Sequence, residues 1–172
     1  MFWHMLSFYT KVMRILGIDP GTGILGFGII ETSGRGGRPA LVDAGVIRTP
    51  VKEDDAVRLL TIYEELTDIM TDNPVEAVSV EKLFFSRNVT TAMTVAQARG
   101  VILLCAQQQA IPIFEYTPMQ IKQAITGYGK ADKKQMQEMV RVLLRLKEIP
   151  RPDDAADALA AAITHSMTMR FA

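Results

Sequence analysis

Apolar residues in RILGID, residues 14–19, end on a single carboxylate, Asp19, and the next four residues are Pro-Gly-Thr-Gly. A short apolar run closed by turn residues predicts a strand over 14–19 and a tight turn over 20–23. A second strand is expected over 24–31. After the glycine-rich stretch 33–39 a third is expected over 40–48, which makes an antiparallel meander. From residue 54 to 72, Val57, Leu59, Leu60, Ile62, Tyr63, Leu66, Ile69 and Met70 follow helical spacing, with Asp54 and Asp55 at the end that favours negative charge. Asn73-Pro74 closes that helix.

The run VEAVSVE, residues 75–81, predicts a fourth strand, again ending on an acid, Glu81. Ser86-Arg87-Asn88 offers a cap for a long helix reaching about residue 110. A fifth strand over 111–115, a helix over 118–125, a glycine loop over 127–129 and a basic amphipathic helix over 132–146 follow. Arg151-Pro152 opens a last helix to about residue 167, with Pro152 near its first position. Three strands, then helix, strand, helix, strand and helices predict an α/β fold with a mixed five-stranded sheet and helices on both faces. In such sheets sites form beyond the carboxyl ends of the strands, where Asp19 and Glu81 fall.

The 172 residues suit one domain, and 48% apolar with 22% charged is a globular composition. Net charge is zero, which by itself does not favour a nucleic-acid partner, but the charge is segregated. Seven acids against Arg58 alone occupy 53–72, whereas eight bases against three acids occupy 118–151. One part of the surface repels phosphate and another attracts it; two solvated helix faces would give the same pattern. The lone cysteine, Cys105, inside VILLCA reads as buried and without a role, and its isolation suits a reducing cytoplasm. Residues 1–12 are apolar, yet have neither a basic leader nor a cleavage site and are too short to span a bilayer. They read as an upstream-start segment, or a tail packed on the surface, ahead of a domain over 14–168.

Asp154 and Asp157 are three apart near the start of a helix and share one face. First-turn acids are favoured there whatever their function, and Glu81 alone could be an exposed strand terminus. Asp19 is the stronger signal, because a carboxylate closing an apolar strand is costly unless used or hydrated. Four acids brought together need positive compensation, which hard divalent cations with oxygen ligands supply. His165 is eleven residues beyond Asp154, about 16 Å along a helix, too far for the same coordination sphere, and reads as structural or on the surface.

The segments GIDPG (17–21), VEKLF (80–84), QARG (97–100), FEYTPMQIKQAITGYGKADKKQMQEMV (114–140) and DAADALAAAITH (154–165) closely resemble the RuvC family of Holliday junction resolvases, in order and at family spacing. The resemblance implies a ribonuclease H-like fold, a homodimer, and Mg²⁺-dependent cutting of four-way DNA junctions to 5′-phosphate and 3′-hydroxyl products. It maps the catalytic and metal-binding acids onto Asp19, Glu81, Asp154 and Asp157. In a two-ion site with ions about 4 Å apart, Asp19 is expected to bridge, Glu81 and Asp157 to hold one ion or the other, and Asp154 to complete the site or position water. Asp153 makes a shifted pairing conceivable, although spacing to ALA and ITH favours Asp154. Mn²⁺ is an alternative to Mg²⁺.

The resemblance also implies DNA contacts at Lys122 and Lys133 beside the acids and at Phe84, which would stack on unpaired bases; Arg87 is a further phosphate contact. Lys130 and Lys134 read equally well as solvated. Ala92, Ala96, Ala98 and Gly100 would permit the close helix packing through which the family pairs its protomers, and core packing would explain the same residues. A branch-migration motor of the RuvA and RuvB type is implied as partner, and no membrane. Three rival readings remain: another ribonuclease H-like nuclease, a non-catalytic junction-binding module, and an actin-like phosphotransferase domain suggested by Asp-Pro-Gly-Thr-Gly.

Overall fold

The computed structural model describes residues 12–33, 37–82 and 89–169. Strands β1 (Val12–Asp19), β2 (Ile24–Ser33) and β3 (Ala40–Arg48) form the predicted meander, and β4 (Ala77–Glu81) and β5 (Ile113–Tyr116) complete a sheet of order β3-β2-β1-β4-β5. β1 runs antiparallel to β2 and parallel to β4, so the carboxyl ends of β1, β4 and β5 lie along one edge.

Helices α1 (Asp55–Asp72) and α2 (Val89–Gln108) cover one face with Leu16, Ile18, Val78 and Val80 beneath them. Helices α3 (Pro118–Thr126), α4 (Lys133–Leu144) and α5 (Asp153–Thr168) cover the other around Ile15, Ala77 and Leu159. Helices therefore lie on both faces, as the element order predicts. The expected boundaries shift by a few residues: β4 starts at Ala77, and Pro152 is the residue that caps α5. The proposed cap at Ser86-Arg87-Asn88 lies outside the described residues.

What sets the site is how closely α5 approaches the sheet. A Cβ on Gly17 would stand 1.9 Å from the Ala158 carbonyl oxygen, and one on Gly26 would stand 2.1 Å from that of Asp154. Only glycine admits such contact. The helix answers with alanines, since Ala155, Ala156, Ala158 and Ala160–Ala162 are all buried. Ser79, fully buried, donates from its hydroxyl to the Ala161 carbonyl at 2.7 Å and fixes the helix against β4. Together these contacts carry the first turn of α5 to the edge where β1 ends.

Two capping boxes orient the basic helices. Thr117 and Gln120 exchange side-chain and backbone hydrogen bonds at the start of α3, and Asp132 and Gln135 do so at the start of α4. Each closes two otherwise unmet backbone donors. They set Lys122 in the second turn of α3 and Lys133 as the first residue of α4.

Candidate active site at the carboxyl edge of the sheet

Asp19 closes β1, and strand alternation puts its side chain on the α5 face with Gly17. Burial first, and then Glu81, Asp157 and Asp154 in that order, push its carboxyl up to about 7, opposed by Lys133. Glu81, at the end of β4, is also raised, by burial and then by Asp157, with Lys122 acting against the shift. Asp157 is raised chiefly by burial, against the pull of Lys133. Asp19 thus feels the charge of the other three acids.

Asp153 behaves differently. It is exposed, accepts from the Gln137 side-chain amide at 2.9 Å, and pairs with Lys133 at 3.2 Å, which holds its carboxyl below the usual range. It is absent from the groups acting on Asp19, whereas Asp154 is among them.

Lys122 and Lys133 join Glu81 and Asp157 around a cleft of about 280 Å³, with Ile121 and Met136 as its apolar wall. The Lys133 ammonium stands 3.5 Å from the Asp157 carboxylate, so it neutralises part of the cluster. A larger hollow of about 410 Å³ lies between α3 and α5, lined by Tyr116, Met119 and Thr168, but none of its lining residues is charged. Chemistry, not size, identifies the cleft beside the acids.

The donor set suits a hard divalent cation. Every ligand on offer is a carboxylate oxygen, and the Asp19 carboxyl, raised by burial and then by its acidic neighbours, is a place where a cation would be favoured. Among the described residues no three acidic, His or Cys side chains are gathered closely enough to hold an ion.

His165 is buried, which excludes the surface alternative. Its ring stacks on Phe114 with centroids 4.0 Å apart, and its Nδ1 lies 2.8 Å from the Tyr116 hydroxyl. Cys105 is buried as predicted. Lys130 and Lys134 are exposed. On α2, Ala98 is in the core, whereas Ala96, Gly100 and the larger Met93 and Leu104 are exposed. Phe84 and Arg87 lie outside the described residues. The sequence reading missed Gly17, Gly26 and Ser79, the residues that seat α5. The detectable signal was glycine alternating along strands in a chain that also carries an alanine-rich helix.

Residues 15–165 match the family model of "Crossover junction endodeoxyribonuclease RuvC". A protein of that name from Brevibacillus brevis is 54% identical over 159 residues, 92% of this chain and 95% of the relative. The structure of Thermus thermophilus RuvC superposes with a TM-score of 0.86 at 39% identity, covering 92% of this chain and 96% of that one. The same protein in complex with Holliday junction substrate gives 0.87 at 38% identity, with the same coverage. The architecture is ribonuclease H-like, a mixed five-stranded sheet between two helical layers.

Proposed function

The chain belongs to the RuvC family of crossover junction endodeoxyribonucleases, and from that premise we propose how its residues carry out the resolution of four-way DNA junctions. The observation that carries the reading is the half-buried Asp19 carboxyl, raised to about 7 beside three further acids at the carboxyl edge of the sheet.

Asp19, Glu81, Asp154 and Asp157 would hold the divalent cations, Mg²⁺ as the physiological ion with Mn²⁺ as a substitute, through carboxylate oxygens alone. Bound there, the ions supply Lewis-acid stabilisation of the phosphorane charge and a lowered pKa for the attacking water. The carboxylates fix where that water and the scissile phosphate can sit. Asp19, Glu81 and Asp157 all have their charged forms disfavoured by burial, so a cation offsets a penalty already present in the fold. Lys133, paired with Asp153 and Asp157, borders the cleft and places its ammonium where it can meet a phosphate oxygen. Lys122 meets the phosphate from α3, across the cleft from the acids. Phe84 stacks on bases at the junction centre and Arg87 contacts the backbone.

Residues 14–168 act as the nuclease domain and 1–13 as an extension. Two copies pair through the exposed face of α2 that carries Ala96 and Gly100; a Cβ on Gly100 would meet nothing within 4 Å, which leaves that position open to a partner helix. A two-fold dimer presents two sites to a two-fold junction. A RuvA and RuvB type motor supplies the junction. Among the described residues no helix is long and apolar enough to cross a membrane, and the lone thiol suits the cytoplasm.

The deciding experiment compares a mobile four-way junction with linear duplex and with an RNA–DNA hybrid, in Mg²⁺ and in chelator. Paired nicks in the junction alone, abolished by chelator, are expected. Equal cutting of the hybrid would point to a different ribonuclease H-like activity.

A further inference from the structure

Arg58 is the one base within the acidic stretch 53–72, and among the described residues it pairs with no carboxylate. It is instead built into the turn that follows Asp19. Its Nε donates to the Thr49 hydroxyl at 2.9 Å, and that hydroxyl donates to the Thr22 carbonyl at 2.5 Å. The Thr49 backbone N–H also donates to the Gly23 carbonyl at 3.2 Å, and Thr49 is only 5% exposed. One terminal amino group of Arg58 lies against Gly23, 3.2 Å from where a Cβ would stand. A guanidinium carries five donors in a rigid fork. Here the single Nε–H is committed to the anchor, and the two amino groups have no described hydrogen-bond acceptor.

The position in the sheet gives this arrangement a use. Thr49 follows β3, Asp19 ends β1, and Lys122 and Lys133 flank Glu81 at the end of β4. In the order β3-β2-β1-β4-β5 the acids therefore lie between the two lysines on one side and Arg58 on the other. Two strand spacings, about 10 Å, separate β1 from β3, so Arg58 is placed for a neighbouring phosphate and not for the scissile one. An unpaired guanidinium anchored at that edge suits a phosphate oxygen pair.

We propose that Arg58, held by Thr49 against the 20–23 turn, binds a backbone phosphate of the DNA strand on the flank of the active site opposite Lys122 and Lys133. The proposal rests on the nuclease reading above and adds to it a second anchoring point, so that the strand is held on both sides of the acids. An arginine that merely braces the hairpin would show the same bond to Thr49, and the two roles differ in charge.

The test uses the full chain, a fluorescein-labelled four-way junction, and chelator to prevent cutting, with affinity followed by anisotropy between about 50 and 200 mM salt. Each phosphate neutralised contributes about −0.9 to the slope of log affinity against log salt. Arg58→Gln is expected to weaken binding about 3- to 10-fold and to make the slope shallower by about 0.9 for each engaged Arg58. Arg58→Lys, which keeps the charge and loses the fork, is expected to retain the wild-type slope. A wild-type slope in Arg58→Gln overturns the proposal, and so does a Lys variant as shallow as Gln, since either outcome leaves only bracing. Wild-type chain that fails to cut the junction in Mg²⁺ refutes the nuclease reading itself; wild-type cutting with an unchanged Gln slope refutes Arg58 alone.

Discussion

At the start of α5, Asp154 and Asp157 lie within electrostatic reach of Asp19 at the edge of the sheet, whereas about 16 Å further along the same helix His165 lies buried against Phe114 and Tyr116. Burial acts in the same sense at both ends, favouring the neutral form. It pushes the Asp19 carboxyl up to about 7 and the His165 imidazole down to about 4. The outcomes differ because of company. Around Asp19 the neighbours are more acids, so the charge problem grows and calls for a cation. Around His165 the neighbours are two aromatic rings, so the imidazole stays neutral and needs no ion. Among the described residues its Nε2 has no hydrogen-bond partner, a cost of about 1–3 kcal/mol that the stacking and the Tyr116 bond offset.

The sharpest way to break this contrast is at the acid end. Asp19→Asn should lower single-turnover junction cleavage in Mg²⁺ by a factor on the order of 10³ or more; cleavage at the wild-type rate would remove Asp19 from the chemistry. Lys133→Ala should lower the cleavage rate by about 10- to 100-fold with a smaller loss of junction affinity, because its charge acts on the transition state. Equal losses in both would reduce it to a binding residue.

The two ends should also respond to pH in opposite directions. In chelated protein, Asp19 has a folded value near 7 against 3.8 for the free group. A raised carboxyl contributes stability that is full below the lower value and lost as pH rises through the upper one. Thermal melts in chelator should therefore fall from pH 4 towards 7.5, Asp19→Asn should flatten that fall, and added Mg²⁺ should reverse it. His165 has a folded value near 4 against 6.5. Its contribution is present above 6.5 and lost as pH falls towards 4, and His165→Phe should remove that acid-side loss while keeping a ring against Phe114. The smallest effect is expected from Tyr116→Phe, about 0.5–1.5 kcal/mol by denaturant unfolding, with cleavage unchanged. A large loss of cleavage there would show that the two ends of α5 are coupled through β5.

Much of this is legible in the sequence. The apolar runs ending on Asp19 and Glu81 mark strand ends, and those strands are present with acids at their carboxyl ends. The helical spacing of Leu66 and Met70 correctly marks the buried face of α1. His165 was undecided between core and surface, because a histidine on an alanine-rich helix has no periodic signature that distinguishes them. Lys133 is the reverse case: its place in a basic helix says nothing of the ion pairs with Asp153 and Asp157, which depend on α4 and α5 meeting.

By itself the sequence determined which residue types stand at which element ends, since strand and helix periods and turn residues are local properties. It thereby supplied the four acids and the order of the sheet's components. Only the tertiary structure decided that the Asp154 backbone packs on Gly26 while Asp153 pairs with Lys133, and that Arg58 is anchored to Thr49 instead of pairing with the acids of its own helix. Those outcomes turn on a backbone approach that Gly17 and Gly26 permit and on a side-chain hydrogen bond across nine residues. Close approach between distant segments is set by packing, which no local pattern encodes.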